Sequence, residues 1–224
     1  MRFDNHAFPG FDAALTELLG AQQSMGETVD AMLALLQKSI ADLDAKHFDE
    51  AKQIDKNIND AELAAEWLAL DTIAKFSGAG EDLRFVIGSI KVMSILERIA
   101  DKVKNCIKRS GRISQTPPDY VMGDVVEEIN AVKAMVPLAL AQLAEFKDAT
   151  ARELLQHGAG VQSSFRQTVV KLNQQRSNEL DAADDTHLLL IAKNLEQAAD
   201  MAVEIMKICH HIHFGTKFDK ASAA

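Results

Sequence analysis

The sequence offers little to a fold built on cross-links, tight turns or stacked rings. Two cysteines, Cys106 and Cys209, are too few for a disulfide framework, and their spacing matches no zinc site. They read as reduced, small apolar residues of a cytosolic protein. Glycine (11) and proline (4) are sparse and aromatic residues make up only 5%. No strand–turn–strand signature stands out, which argues against an all-β architecture. No apolar run approaches the ~18–20 residues of a membrane span. The stretch Met1-Arg2-Phe3-Asp4-Asn5-His6 has no apolar core of the kind a secretory leader needs. Positive charge is also short: the formal net charge is −9, which argues against a general nucleic-acid binder. Finally, G-x-S-x-G, the P-loop, H-E-x-x-H and G-x-G-x-x-G are all missing, so no familiar catalytic motif is at hand.

What remains is helix-forming. The 224 residues are 47% hydrophobic, enough for a sizeable core, and rich in Ala, Leu, Glu, Lys and Gln. Apolar positions recurring at threes and fours predict six long helices, over residues 11–44, 48–75, 81–110, 119–145, 148–178 and 184–214. Gly20 and Gly26 suggest a bend in the first, Pro137 a kink in the fourth, and Gly158 with Gly160 a break in the fifth. The run Gly111 to Pro118, containing Ser114-Gln115-Thr116-Pro117-Pro118, is the best boundary. The expected architecture is all-α: two tandem three-helix bundles, residues 1–112 and 113–224, with a single six-helix bundle as the alternative.

Two stretches organise this layout. Leu96-Glu97-Arg98-Ile99-Ala100-Asp101 and Leu195-Glu196-Gln197-Ala198-Ala199-Asp200 stand 99 residues apart, a sign of internal duplication. Residues i and i+4 share a helix face, so each E-x-x-x-D presents two carboxylates side by side. Around the third helix the pair falls at the margin of the apolar arc formed by Leu83, Val86, Ile90 and Met93, whereas Arg84, Lys91, Arg98 and Lys102 gather on the polar flank. Acids at such a margin need compensation from a cation, a neighbouring Lys or Arg, or water. An ordinary salt bridge is the plain reading; a hard cation in oxygen coordination is the sharper one.

In an up-down-up bundle, Asp55 and Asn59 of the second helix meet Glu97 and Asp101 of the third, giving four oxygen-bearing side chains. The matching part of the fifth helix carries His157 and Val161 in place of that pair, so the site of Glu196 and Asp200 is expected to be weaker or vacant, with Glu204 a substitute ligand. His210, His211 and His213, which follow Cys209, make only a weak metal site. The Glu-x-x-His of di-iron bundles is missing from both motifs, which leaves an oxidase or hydrolase as the lesser alternative to a binding protein.

These residues resemble the PhoU family. Asp82-Leu83-Arg84, Lys91 and Leu96–Asp101 are similar to its D-L-R … K … L-E-R-I-G-D; Ile191–Glu196 with Asp200 is similar to the second copy, and Asp55 with Ile58-Asn59 to its D-x-x-I-N. The resemblance implies two tandem three-helix bundles and metal ions (Fe, Zn, Mg or Mn) held by Asp55, Asn59, Glu97, Asp101, Glu196 and Asp200. It also implies a cytoplasmic, non-catalytic negative regulator of phosphate uptake, peripheral to the membrane. Such a protein links the ATPase subunit of a phosphate ABC transporter to a sensor histidine kinase; whether it forms a homodimer stays open. Ala100 and Ala199 replace the motif glycine, and Gln197-Ala198 replaces Arg-Ile. An accessory protein of a secondary phosphate transporter and a metal-free scaffold are the remaining alternatives.

Overall fold

The computed structural model describes residues 9–76, 78–117, 119–174 and 182–219. Six helices account for nearly all of them: α1 (Pro9–Asp42), α2 (His47–Phe76), α3 (Gly80–Ser110), α4 (Asp119–Ala144), α5 (Asp148–Gln174) and α6 (Ala182–Phe214). At about 1.5 Å per residue they span roughly 39–51 Å. The expected end of the fifth helix, beyond Gln174, lies outside the described residues.

The helix ends follow local chemistry. Gly215, at φ +70°, ends α6 and donates its N–H to the carbonyl of His211 at 2.9 Å, the left-handed cap for which glycine carries no Cβ penalty. Acids Glu81 and Asp82 open α3 at the positive end of its dipole, and Lys108 and Arg109 close it.

Within each triplet every helix packs on the other two, and the triplets are joined where α3 lies on α6 and α1 on α4. The joining pairs are antiparallel. Arg84 Nε, early in α3, donates to the carbonyl of Ile212 late in α6 at 2.9 Å, while Cys106 Sγ, late in α3, donates to that of Ile191 early in α6 at 3.6 Å. Gln37 of α1 donates to Asn130 of α4 at 2.6 Å, and Asp30 pairs with Lys133 at 3.8 Å. An antiparallel seam between two copies of one motif relates the halves by an approximate two-fold axis. One apolar core, from Phe11 and Leu36 through Leu96 and Ile99 to Leu195 and Ile212, runs through both halves. The two bundles are thus tandem in sequence and fused in their core.

Small residues set the helix spacing. A Cβ on Gly88 would lie 2.6 Å from Ile212 Cδ1, so glycine lets α3 and α6 close on each other. Gly158 does not break α5, which is continuous. A Cβ there would come within 3.3 Å of Val203 Cγ2, so this residue is a packing glycine facing α6. The helix α4 likewise runs through Pro137. Leu63 of α2 is 54% exposed and Trp67 65%. Both cysteines are free and buried, and burial pushes their thiols up to about 12, in keeping with inert core residues.

The segment between the halves is held from the far side. Asp184, in the first turn of α6, accepts from Ser114 N–H at 3.0 Å, Ser114 Oγ at 2.9 Å and Gln115 N–H at 3.1 Å. Burial alone would raise its carboxyl; the three donors outweigh it and hold the pKa below the usual value. Asp184→Ala is expected to cost about 1–3 kcal/mol in urea unfolding at pH 7. Because the folded pKa is depressed, that contribution is present above pH 3.8 and lost as pH falls through the folded value, so wild type and variant converge in acid.

Candidate cation site

The antiparallel packing of α2 on α3 brings early α2 to late α3. There Lys104 Nζ lies 2.7 Å from Asp55 Oδ2 and 2.7 Å from Asp101 Oδ1. Lys104 is 20% exposed and Asp55 15%. Burial tends to lower the lysine's pKa, but its hydrogen bonds to Asp101 and Asp55 outweigh that and raise it. Glu97 is shifted upward, first by burial, then by the negative charges of Glu62, Asp101 and Asp55, with Lys104 opposing. The cluster therefore contains Asp55, Glu62, Glu97 and Asp101 around one ammonium, while Asn59 is exposed. Of the compensations open to the acid pair, a neighbouring lysine is the one the structure supplies.

Glu62 and Lys104 were not singled out from the sequence. Both carried a signal: Glu62 follows Asp55 by seven residues and Lys104 follows Glu97 by seven, two helical turns along the same faces.

The second copy is built differently. Glu196 pairs with Lys193 at 2.6 Å, and that ammonium also stands 5.1 Å from the ring centroid of Phe165. Asp200 accepts from Gln162 Nε2 at 3.1 Å. The residue 99 after Lys104 is Val203, an apolar contact of Gly158. His157 faces the groove between α4 and α5 beside Glu128.

The two-fold seam brings the motif aspartates together. Asp101 and Asp200 line one open cleft of about 460 Å³, with Arg98, Lys102, Gln197 and Glu204 around them. Farther along the seam a second groove of about 420 Å³ has Arg84, Lys91, Lys207, His211 and Lys217 at its rim and Gly88, Ile208 and Phe218 among its lining. Arg84 and Lys91 of the basic flank of α3 thus edge this groove, whereas Arg98 and Lys102 line the cleft beside Asp101. The tail histidines do not converge. His210 packs on Phe146, Phe214 and Phe218, and His213 bonds the carbonyl of Gln142 at 2.9 Å.

Tested against a bound metal, the α2/α3 cluster has the right donors: hard oxygens in mutual repulsion, with a carboxyl at Glu97 shifted upward. Their arrangement is that of a salt bridge. Among the described residues, no three His, Cys, Asp or Glu side chains stand close enough to enclose a metal ion. The donor chemistry fits a cation that displaces Lys104. Glu196 and Asp200, each tied to its own partner, fit less well.

Another buried acid escaped the sequence reading. Glu128 of α4 is 1% exposed, and among the described residues neither carboxylate oxygen has a hydrogen-bond partner. Burial, with smaller contributions from Asp124 and Glu196, pushes it up to about 8 despite the nearby Ser164 hydroxyl.

An all-α pair of fused three-helix bundles with an acidic inter-helix cluster is the class this geometry defines. Residues 23–110 match the family model "PhoU domain". Over that stretch the chain is similar to the PhoU family, and relatives named for the same family align along most of its length. It is 27% identical to a phosphate-specific transport system accessory protein PhoU homolog of Rhizobium meliloti, covering 95% of this chain and 90% of that one. It is 26% identical to the protein of the same name in Zymomonas mobilis, over 92% and 87%. The crystal structure of the phosphate transport system regulatory protein PhoU from Streptococcus pneumoniae superposes with a TM-score of 0.85 at 20% identity, covering 93% of this chain and 99% of that one. PhoU from Pseudomonas aeruginosa gives 0.81 at 23%, over 92% and 100%.

Two outcomes follow for the buried charges. Lys104→Met removes the cation shared by Asp55 and Asp101 and is expected to lower stability by about 1–2 kcal/mol at low salt, less at 1 M NaCl, in chemical unfolding. Glu128 has a raised folded pKa, so between about 4.5 and about 8 the folded chain holds a proton that the unfolded chain has lost. Its effect is a stability loss that grows as pH rises through that window and is complete above it. Glu128→Gln should leave stability near pH 4.5 unchanged and raise it at pH 8.5 by up to about 5 kcal/mol, flattening the pH profile.

Proposed function

We propose that this chain is a cytoplasmic, non-catalytic regulator of phosphate uptake. It acts as an adaptor between the ATPase subunit of a phosphate ABC transporter and a sensor histidine kinase, restraining phosphate-regulated transcription when phosphate is plentiful. One observation carries the reading: the D-L-R … L-E-R-I-x-D stretch forms the buried helix α3 on which both α2 and α6 pack, in a fold shared end to end with PhoU structures. The accessory and regulatory names of the relatives agree with a role without turnover. Among the described residues no helix is long and apolar enough to cross a membrane, so the adaptor would meet its transporter at the membrane surface.

In this reading Asp55, Asn59, Glu97 and Asp101, with Glu62, take a hard cation (Mg, Mn, Fe or Zn) in exchange for the Lys104 ammonium. The bound ion would neutralise the cluster and free Lys104 for another acid. Glu196 and Asp200 form the weaker copy of this site.

Deletion of the gene tests the reading. Phosphate uptake and a phosphate-repressed reporter are measured in limiting and in excess phosphate, with complementation by wild type. Loss of repression in excess phosphate is expected; responses unchanged in both conditions would contradict it.

A further inference from the structure

Glu128 is the side chain the regulatory reading leaves unexplained. It lies in a groove of about 370 Å³ between α4 and α5, on the opposite side of α5 from the contact of Gln162 with Asp200. Glu127, Gln156, His157, Gly160 and Ser164 also line the groove, with Ala131 and Val161 on its apolar side. A buried carboxyl with neither oxygen satisfied is costly, and such groups call for a missing partner. The partners at hand are already engaged. On α4 itself, Asp124 takes Lys171 of α5 at 2.5 Å. On α6, Glu196 takes Lys193 at 2.6 Å, and on α1 Asp30 takes Lys133 at 3.8 Å. His157 of α5 stands 3.8 Å from Glu153. Among the described residues no lysine or arginine lines the groove.

We propose that the α4/α5 groove is a binding site for an alkylammonium group, with Glu128 as its counter-ion. An ammonium has three N–H donors, and the groove offers three kinds of acceptor: the Glu128 carboxylate, the Ser164 hydroxyl and the Gln156 carbonyl. Ala131, Val161 and the bare backbone at Gly160 suit a methylene chain. A metal ion fits less well: Glu127, Glu128 and His157 all line the groove, but among the described residues they do not close into a group able to hold one. The volume falls in the range of small-ligand sites. Glu127, in the same groove, would meet the second ammonium of a free diamine; a lysine side chain of another protein would use Glu128 alone. With Glu128 largely protonated near neutrality, binding displaces its proton, so affinity rises with pH up to about 8.

Titration of the intact protein by ¹H–¹⁵N NMR tests this, using putrescine, n-butylamine and MgCl2 as separate probes at pH 7 and pH 8. Saturable shifts at Ala131, Gly160 and Ser164 with both amines are expected. They should strengthen severalfold at pH 8 and weaken at least tenfold in Glu128→Gln, a neutral isostere expected to fold. Tighter binding of putrescine that Glu127→Gln abolishes supports the proposal with a free diamine as source. Equal binding of the two amines, indifferent to Glu127→Gln, supports it with a protein lysine as source. Absence of saturable shifts, equal binding by Glu128→Gln, or a Glu128-dependent response to Mg2+ with none to the amines would overturn it.

Discussion

The antiparallel contact of α3 with α6 is the constraint on which the rest depends. Gly88 lets the two helices close, Arg84 ties the start of one to the end of the other, and Cys106 does the same at the opposite end. Because α3 and α6 carry the two copies of one motif, their pairing makes the duplication a two-fold arrangement and merges two small cores into one. A three-helix bundle of about 110 residues is modest in buried area; sharing a seam gives each half an apolar neighbour along its motif-bearing helix. The same seam places Asp101 opposite Asp200 and the Arg84/Lys91 edge of α3 beside Lys207 and His211 of α6.

The two halves resolve the same electrostatic problem in different ways. Acids at the margin of a helix core need a counter-charge, and α3 provides it internally through Lys104. In the second half the equivalent position is Val203, so the duties are divided: Lys193 serves Glu196, Gln162 serves Asp200, and Lys171 serves Asp124. Glu128, though buried, is left without a counter-charge among the described residues. After duplication each half has accumulated its own pairing, and the two sites have ceased to be equivalent.

Much of this was legible in the sequence because helix periodicity and turn residues are local signals. The six helices start and stop within a few residues of Gly80, Gly111, Gly215 and the proline-containing linker, and the motif offset revealed the repeat. Gly158 misled because a glycine that breaks a helix and one that admits a neighbour are spelled alike; only Val203 across the gap distinguishes them. Asp55, Glu97 and Asp101 were brought together as the spacing implied, whereas Asn59 is exposed. Glu62 and Lys104 could have been found by extending the i, i+4 pairs by another turn. Glu128 could not, since its isolation depends on which lysines α5 and α6 assign elsewhere, a property of three packed helices and not of any one.

The central claim, that Lys104 is the resident cation of an acid cluster able to take a metal in its place, is tested most directly by Mn2+ binding followed by electron paramagnetic resonance. Wild type, Lys104→Met and Glu97→Ala/Asp101→Ala are compared at equal ionic strength. The account predicts one saturable site in the wild type, tighter binding in Lys104→Met and none in the double variant. Lys104→Met that folds yet binds Mn2+ no better than the double variant would contradict it, leaving the cluster a salt bridge whose only cation is its own lysine.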